Sequence, residues 1–382
     1  MRYVFKNKFY AIFFYIFDFI GSVVFLPGRL IHKRNLVRNP KNILIIRLDH
    51  IGDVAAATSV PHNLKIAYPE ARITFLVSSS SAGLLLNNPY INEMICFDAP
   101  WFSRGKKNIN SWAVFWKLVK ELKKVNFDLG FDLRGDFRHI ILMWLARVKF
   151  RVSYGVTGGG FLLSIQGHYH KNLNALDKNL YLLEKLNIKL IIRKQELFLS
   201  NEEVRQVDDF LSSNNLNQVK FCIVHPVAGY TSKNWQEDKF AVLISKLYKE
   251  LKVSVILVGL DNDRDIVEHI IAISGVPAIN IAGKTSLRFL IALIQRANLF
   301  IGVDSGPSHI AAALDKPTLI LYSGTNQAQE WAPKGNQVII IQKDVACKSC
   351  EKPECHIKTC MELISVEEVF DVAKSMFLSE AQ

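Results

Sequence analysis

Short apolar segments that alternate with amphipathic ones constrain the fold of this chain more than any other feature of its sequence. They occur in two series, first NILIIRL, ARITFLV, MICFD and FDLGFDL between residues 42 and 133, then KFCIVHP, VSVILVG, LFIGVD and TLILYS between residues 220 and 323. Segments of this length are typical of buried strands, and the stretches between them, such as 54–67, of helices. Strands separated by helices form parallel sheets that are covered on both faces. The sequence therefore predicts two successive doubly wound α/β domains.

The length of the chain agrees with two domains, because 382 residues exceed what a single hydrophobic core usually organises. We expect a basic, apolar segment at 1–41, a first α/β domain at 42–190, a second at 200–345, and a cysteine-containing loop with a closing helix at 346–382. Two such domains create a cleft beside the carboxyl ends of their strands, where parallel sheets bind ligands. The loops that follow the strands are therefore the candidates for chemistry.

The N-terminal segment combines positive charge with apolar residues. Residues 1–41 contain eight lysines and arginines against a single acidic residue, Asp18, and residues 9–27 read FYAIFFYIFDFIGSVVFLP. A membrane-spanning helix needs about 20 apolar residues, and a carboxylate adds to the cost of insertion. A basic arm beside an apolar run suits anionic lipid better than nucleic acid. We expect a helix that lies on a membrane surface, although residues 9–26 leave a spanning helix open, and no nucleic-acid partner.

The loop Asp49-His50-Ile51-Gly52-Asp53 follows the first predicted strand. Gly52 allows a tight turn, and Asp53 would then lie near the beginning of the next helix. Asp53 could equally cap that helix, a role in which Asp is common. The loop lacks the G-x-G-x-x-G pattern, so a dinucleotide cofactor is not indicated.

A second loop of the first domain reads DLRGDFR at 132–138. Its arginines could bind an anionic acceptor through paired hydrogen bonds. Asp132 and Arg134 are the candidates for this role. A salt-bridged surface explains the same residues equally well.

The loop HPVAGYTSKNW at 225–235 opens the second domain. Thr231, Ser232 and Lys233 supply two hydroxyls and an ammonium group for a phosphate directly after a strand. An ordinary exposed lysine beside a packed tryptophan is the alternative.

The loop GVDSGPSH at 302–309 leads into a predicted helix. Gly306 permits close backbone approach, Pro307 suits a first helical turn, and a helix N-terminus binds anions through its unpaired N–H groups. Ser305 could instead be a simple cap and His309 a packed helix residue. A further loop, at 258–264, offers Asp261 for ribose hydroxyls, or as a solvated turn residue.

Four cysteines lie close together near the C-terminus, at positions Cys347, Cys350, Cys355 and Cys360. Disulfides are disfavoured in a reducing cytosol, so such thiols could hold a structural zinc ion or an iron–sulfur cluster. Their spacing departs from the common patterns of either group, and His356 is a competing ligand. Reduced thiols in a surface loop are the alternative.

Three segments, in this order, resemble those of a known family. LIIRLDHIGDVAAATSVPHNLKIAYPEARITFLV is similar to the opening of the ADP-heptose:lipopolysaccharide heptosyltransferases, glycosyltransferase family 9, and HPVAGYTSKNW and LFIGVDSGPSHIAAALDKPTLILYSGT are similar to its two donor-site segments. The resemblance covers about residues 42–375. It implies a GT-B fold, in which two Rossmann-like domains face a central cleft, with the acceptor bound mainly by the first domain and the donor by the second.

The resemblance also implies roles for individual residues. Asp53 matches the aspartate that serves this family as catalytic base, and Gly52, Asp132 and Arg134 are expected at the acceptor. The residues expected at the donor are Thr231, Ser232, Lys233, Asp261, Asp304, Ser305, Gly306 and His309. Asp261 departs from the family pattern, which usually has Glu there.

The implied reaction is an inverting transfer of heptose from ADP-heptose to a lipid-anchored lipopolysaccharide inner-core acceptor, at the cytoplasmic face of a bacterial inner membrane. No catalytic metal is expected. Two other functions remain open: a GT-B enzyme that uses another nucleotide sugar, and a non-catalytic scaffold that binds sugar nucleotides.

Overall fold

A computed structural model describes residues 8–31, 38–99, 101 and 111–379 of the chain. The chain divides into two compact units, residues 1–193 and 194–382. Each unit is built around its own parallel sheet.

The sheet of the first unit has six parallel strands in the order β3-β2-β1-β4-β5-β6. The strands are β1 (Asn42–Arg47), β2 (Arg72–Val77), β3 (Glu93–Cys96), β4 (Leu129–Asp132), β5 (Phe150–Ser153) and β6 (Ile165–Gln166). The helices are α1 (Lys8–Ile31), α2 (Ile51–Ala55), α3 (Val60–Ala67), α4 (Ser79–Ala82), α5 (Ser111–Val125), α6 (Phe137–Leu145) and α7 (Ala175–Glu184).

The sheet of the second unit also has six parallel strands, in the order β12-β11-β10-β7-β8-β9. The strands are β7 (Phe221–His225), β8 (Ser254–Leu257), β9 (Ile279–Asn280), β10 (Leu299–Val303), β11 (Thr318–Tyr322) and β12 (Val338–Gln342). The helices are α8 (Asn201–Ser213), α9 (Glu237–Leu251), α10 (Arg264–Ser274), α11 (Leu287–Arg296), α12 (Gly306–Ala313), α13 (Ala328–Trp331), α14 (Thr359–Glu362) and α15 (Val366–Ser379).

Both sheets have the strand order of a doubly wound, Rossmann-like domain. In each sheet the central strands are buried on both faces, as the continuous apolar run Ile43–Ile46 of β1 illustrates. Such runs are expected where helices cover both sides of a parallel sheet. The predicted fold, with two doubly wound α/β units, is confirmed.

The single helix predicted at 54–67 is wrong in one respect, because the structure divides this stretch into α2 and α3. The N–H groups of Ala57 and Thr58 donate to carbonyl groups three residues earlier, which tightens the chain into a turn. Pro61, in the first turn of α3, has no N–H to continue the bonding pattern of α2. The break therefore has a local sequence cause.

Helix α1 packs one of its faces against the rest of the first unit and leaves the opposite face exposed. Phe14 and Asp18 are buried, and the Gly159 N–H donates a 2.7 Å hydrogen bond to the Asp18 carboxylate. The exposed residues are Phe9, Tyr10, Ile12, Phe13, Tyr15, Ile16, Phe19, Ile20, Val23 and Val24. Within the described ranges, no helix is both long enough and apolar enough to cross a membrane.

Candidate active site

Four loops follow the strands at which the two sheets reverse their order. The reversal lies between β1 and β4 in the first sheet and between β7 and β10 in the second. Open parallel sheets bind ligands beside the carboxyl ends of the strands at such positions. Most residues that the sequence singles out lie in these four loops.

Arg47, the last residue of β1, organises the loop that follows it. Its Nη2 donates to Asp53 Oδ1 at 2.9 Å, and its Nη1 donates to the carbonyl oxygen of Leu133 at 2.6 Å. Its Nε also lies 3.0 Å from a carboxylate oxygen of Asp49. Arg47 and Asp49 are buried, whereas the Asp53 side chain is 22% exposed. The arrangement holds Asp53 in place and leaves part of its carboxylate open to solvent.

The sequence allows Asp53 to cap the helix that follows β1. In the structure, Asp53 is not the cap of that helix. His50 is the N-cap of α2, and Asp53 lies inside the first turn with its carboxylate directed to Arg47. Gly52 also lies within α2, so the expected tight turn at Gly52 is wrong. The capping alternative for Asp53 therefore has no support in the structure.

Asp132, which ends β4, is fully buried and organises the loop from within. Its carboxylate accepts hydrogen bonds from the backbone N–H groups of Arg134 and Gly135 and from the Ser153 hydroxyl, and it lies 2.9 Å from His139 Nδ1. No part of Asp132 reaches the surface. The expected direct contact with an acceptor does not fit this position, because the carboxylate is used to hold its own loop.

Arg134 and Arg138 extend the charged cluster across the β4 loop. Arg134 pairs with Asp49 and lies 3.7 Å from Asp136, which in turn accepts a 2.8 Å hydrogen bond from Arg138 Nε. We call the six residues of this cluster the arginine–aspartate network: Arg47, Arg134, Arg138, Asp49, Asp53 and Asp136. The salt-bridged interpretation of the β4 loop is therefore correct, and it does not exclude ligand binding by the exposed edge of Arg134.

Burial and charge within the network change two pKa values in the same direction. Burial lowers the pKa of Arg134 to about 10, and the neighbouring Arg47 and Arg138 act in the same sense. For Asp136, burial favours the neutral acid, but the hydrogen bonds from Arg138 and the nearby charges of His139 and Arg138 together outweigh burial and lower the pKa. At neutral pH Arg134 is still protonated and Asp136 is ionised. Positive and negative side chains therefore lie next to each other in the network.

In the second unit, Lys233 joins the β7 loop to the β10 loop. Its ammonium group donates to Asp304 Oδ2 at 2.6 Å, and both side chains are mostly buried. Asn326 lies within 3.5 Å of the same carboxylate oxygen. Lys233 is thus a fixed cation at the switch point of the sheet, and not an ordinary exposed lysine.

Thr231 and Ser232 differ although they are neighbours in the 3₁₀ turn 231–233. Thr231 is exposed, whereas Ser232 is buried and donates its hydroxyl to the carbonyl oxygen of Lys352 at 2.6 Å. The Ser232 N–H donates to the carbonyl oxygen of Pro353. The expected contact of Ser232 with a phosphate does not fit, because the segment at 352–353 covers this residue.

Helix α12 begins at Gly306, directly after β10. Ser305 stands at its N-cap without a side-chain capping hydrogen bond, and the Ser305 hydroxyl lies 3.0 Å from His225 Nδ1. Burial lowers the pKa of His225 to about 4, so its imidazole is neutral at pH 7. His309 is partly exposed in the first turns of α12. The helix thus begins beside three polar side chains and the Lys233–Asp304 pair.

Asp261 lies in a different loop, the one after β8, which pairs with β7. It begins a short 3₁₀ turn after β8, its side chain is 73% exposed, and it pairs with Arg264 at 2.6 Å. This placement agrees with the alternative of a solvated turn residue.

Two residues that the sequence does not single out belong to these loops in the structure, Arg47 and His225. The only signal was a charged or polar residue at the end of an otherwise apolar strand, in LIIR and in FCIVH. Because strand ends of parallel sheets border ligand sites, a charged or polar residue that ends an apolar strand is itself a signal of a site residue.

The four late cysteines do not gather around a common centre. Cys347 is exposed, whereas Cys360 is buried in the apolar core of the second unit. Backbone N–H groups of Lys358 and Ile357 lower the pKa of Cys355. Among the described residues, no three His, Cys, Asp or Glu side chains are placed to hold a metal ion together.

Comparison with known proteins finds lipopolysaccharide heptosyltransferases that are similar to this chain. A relative from Haemophilus influenzae, lipopolysaccharide core heptosyltransferase OpsX, is 28% identical and covers 89% of this chain and 98% of its own length. Escherichia coli lipopolysaccharide heptosyltransferase 3 is 29% identical and covers 75% of this chain and 85% of its own.

Two solved structures share the fold. A family 9 glycosyltransferase from Veillonella parvula has a TM-score of 0.78 at 22% identity, covering 91% of this chain and 99% of its own. Escherichia coli ADP-heptose LPS heptosyltransferase II has a TM-score of 0.73 at 20% identity, covering 89% and 100%. The fold is therefore GT-B. Residues 115–361 match the model of glycosyltransferase family 9 (heptosyltransferase). This chain thus belongs to glycosyltransferase family 9 and is a glycosyltransferase of the heptosyltransferase type.

Proposed function

We propose that this protein transfers heptose from ADP-heptose to a lipid-anchored lipopolysaccharide core acceptor at the cytoplasmic face of the inner membrane. Family membership and the names of the relatives support the donor and the acceptor. One observation carries most weight: Asp53 is held by the buried Arg47 and still keeps part of its carboxylate exposed. A base needs both properties, a fixed direction and access to substrate.

Asp53 is the proposed general base. It accepts the proton of the acceptor hydroxyl as the oxygen of that hydroxyl attacks the anomeric carbon of the donor, and the bond from that carbon to the diphosphate breaks. A single displacement of this kind inverts the anomeric centre and needs no covalent enzyme intermediate. Arg47 acts as a positioning residue, because it bonds Asp53 and the β4 loop at the same time.

The second unit supplies the groups that stabilise the departing diphosphate. Lys233 is a cation fixed beside the β10 loop, and the N-terminus of α12 offers backbone N–H groups at Gly306. Thr231, Asp304, Ser305 and His309 complete the proposed donor site. Ser232 is proposed only to hold the segment at 352–353, since its hydroxyl is already used there.

The proposed acceptor site lies in the first unit, at the β1 and β4 loops. Arg134 is the residue best placed to meet an anionic group, because it is partly exposed and protonated. Asp132 supports the loop from its buried position, and Gly52, which directly precedes Asp53 in α2, is proposed to border the acceptor. We expect transfer without an added divalent cation, because Lys233 and α12 can carry the developing charge.

Helix α1 is the proposed membrane contact. Its exposed face carries aromatic and branched apolar side chains over several turns, and the N-terminal 41 residues are strongly basic. Both properties are typical of helices that lie in the interface of an anionic membrane. A lipid-anchored acceptor would then be reached at the bilayer surface.

Donor profiling of the purified full chain tests this function. ADP-heptose and uridine- or guanosine-linked sugars are offered with a heptose-free inner-core acceptor, and the released nucleoside diphosphate and the product mass are measured. We expect turnover with ADP-heptose. Turnover with a uridine- or guanosine-linked sugar alone would contradict the donor assignment, and binding of sugar nucleotide without any transfer would favour a scaffold.

A further inference from the structure

An open apolar groove lies between α1 and the beginning of α6. Its volume is about 550 Å³. The lining residues are Phe9, Tyr10, Phe13, Phe14, Phe137, Arg138 and Thr157. We call this the α1–α6 groove. Aromatic rings form most of its wall, and among the described residues that line it the Arg138 guanidinium is the one cationic group.

Contacts between α1 and the first unit fix the shape of the groove. The rings of Phe14 and Phe137 are 4.7 Å apart at their centroids, and Phe17 and Phe161 are 5.4 Å apart. Asp18 adds a buried hydrogen bond to the backbone at Gly159. Because a buried carboxylate is stable only with such a partner, this bond sets the position of α1 along the domain.

The groove connects two regions that the proposed function uses. On one side, Phe9, Tyr10 and Phe13 belong to the exposed apolar face of α1. On the other side, Phe137 and Arg138 directly follow Asp136, the N-cap of α6 and the end of the β4 loop. A bound molecule could therefore extend from the membrane-facing helix to the arginine–aspartate network.

The residues that line the groove indicate what kind of molecule it would bind. Aromatic and methyl groups favour hydrocarbon. Arg138 lies 5.1 Å from the Trp101 ring and pairs with Asp136, and about a third of its side chain remains exposed. A hydrocarbon chain with an anionic group near its polar end matches this combination.

We propose that the α1–α6 groove binds one acyl chain of the lipid-anchored acceptor and places its polar end at the β4 loop. This inference rests on the proposed function for the identity of the acceptor. In this arrangement α1 is a part of the acceptor site as well as a membrane contact. The basic charge of residues 1–41 adds to the attraction of an anionic glycolipid.

Two matched variants of α1 test the proposal. Phe13 lines the groove and is 54% exposed, whereas Phe19 is 65% exposed on the same helix and does not line it. Phe13→Ser and Phe19→Ser remove similar apolar surface from α1. Thermal unfolding of both variants is compared with that of the unchanged chain, to establish that each one folds.

Binding and transfer are measured in parallel with the acylated inner-core acceptor and with its fully deacylated derivative. We expect Phe13→Ser to weaken binding of the acylated acceptor and to raise its KM about tenfold, the effect of losing contact with about two methylene groups. Its kcat, and both values for the deacylated acceptor, should stay unchanged. Both acceptors are offered in detergent solution, without a bilayer for the exposed face of α1, so Phe19→Ser should leave all of these values near those of the unchanged chain.

Equal effects of Phe13→Ser and Phe19→Ser, or equal affinity for the two acceptors, would overturn the groove proposal. Transfer from ADP-heptose with equal KM for both acceptors would leave the proposed function standing and contradict the groove alone. Selective, Phe13-dependent binding of the acylated acceptor without transfer from ADP-heptose would support the groove and contradict the donor assignment.

Discussion

Arg47 donates one hydrogen bond to Asp53 in the loop after β1 and another to the carbonyl oxygen of Leu133 in the loop after β4. These two loops flank the switch point of the first sheet. Because Arg47 is buried, its guanidinium cannot turn outward toward solvent or a bound ligand. The fold therefore sets the direction of the Asp53 carboxylate. The corresponding link between two loops of the second unit is the Lys233–Asp304 pair.

Arg47→Lys should lower kcat at least about tenfold and leave the KM for the nucleotide sugar unchanged. Lysine retains the charge, but it cannot donate to Asp53 and Leu133 from one planar group. Steady-state kinetics separate the two parameters. Arg72→Lys is the control, since Arg72 is an exposed residue at the start of β2. An unchanged kcat for Arg47→Lys would show that the orientation of Asp53 does not depend on this residue.

Lys233→Ala should weaken ADP binding by roughly ten- to a hundredfold, the usual value of a hydrogen bond to a charged group. Calorimetric titration of the full chain with ADP measures the change. Lys249→Ala, on the exposed side of α9, is the matched control. If both variants bind ADP as tightly as the unchanged chain, Lys233 serves only to neutralise Asp304.

His225 should make the second unit less stable as the pH falls from about 6.5 to about 4. Burial lowers its pKa to about 4 from an ordinary value of 6.5, so in this range the unfolded chain takes up a proton that the folded chain excludes. The free energy of unfolding should fall by on the order of 3 kcal/mol from this residue. Urea denaturation at several pH values measures it, and His225→Gln should have a flatter profile. Identical pH profiles for the unchanged chain and for His225→Gln would contradict a lowered pKa of His225.

Gly135→Ala should destabilise the β4 loop more than a glycine-to-alanine change elsewhere. Gly135 has a φ of +86°, and a Cβ there would lie 2.8 Å from Val156 Cγ2. Gly275, with a φ of +65° and open space around it, is the control and should lose only about 1–2 kcal/mol for the left-handed backbone. Equal losses of stability for Gly135→Ala and Gly275→Ala, measured by thermal unfolding, would mean that the neighbours of Gly135 move aside without cost.

The sequence was sufficient to predict the fold, because its signals are local. Apolar runs such as those of β1 and β10 are buried on both faces and cannot be placed in a half-exposed sheet. The strand-end loops were located for the same reason. The break between α2 and α3 was missed, although Pro61 was a visible local signal.

The site was harder to predict wherever a contact joins distant parts of the chain. Arg47 acquires its role from Leu133, 86 residues away, and Ser232 is covered by Lys352, 120 residues away. The buried, loop-supporting position of Asp132 is hard to predict for a related reason. Its contacts with Ser153 and His139 exist only once β5 and α6 have packed. The residue types were informative, but their availability to a ligand depends on tertiary packing.

Asp53→Asn gives the most direct measurement of the proposed mechanism. The variant keeps the size of the side chain and an oxygen for Arg47, but it loses the base, so transfer of heptose from ADP-heptose should fall by about 10²–10⁴-fold. ADP affinity and thermal stability should stay unchanged, and Asp238→Asn, at an exposed position in α9, should retain full activity. Transfer by Asp53→Asn at the rate of the unchanged chain would contradict the assignment of Asp53 as the base.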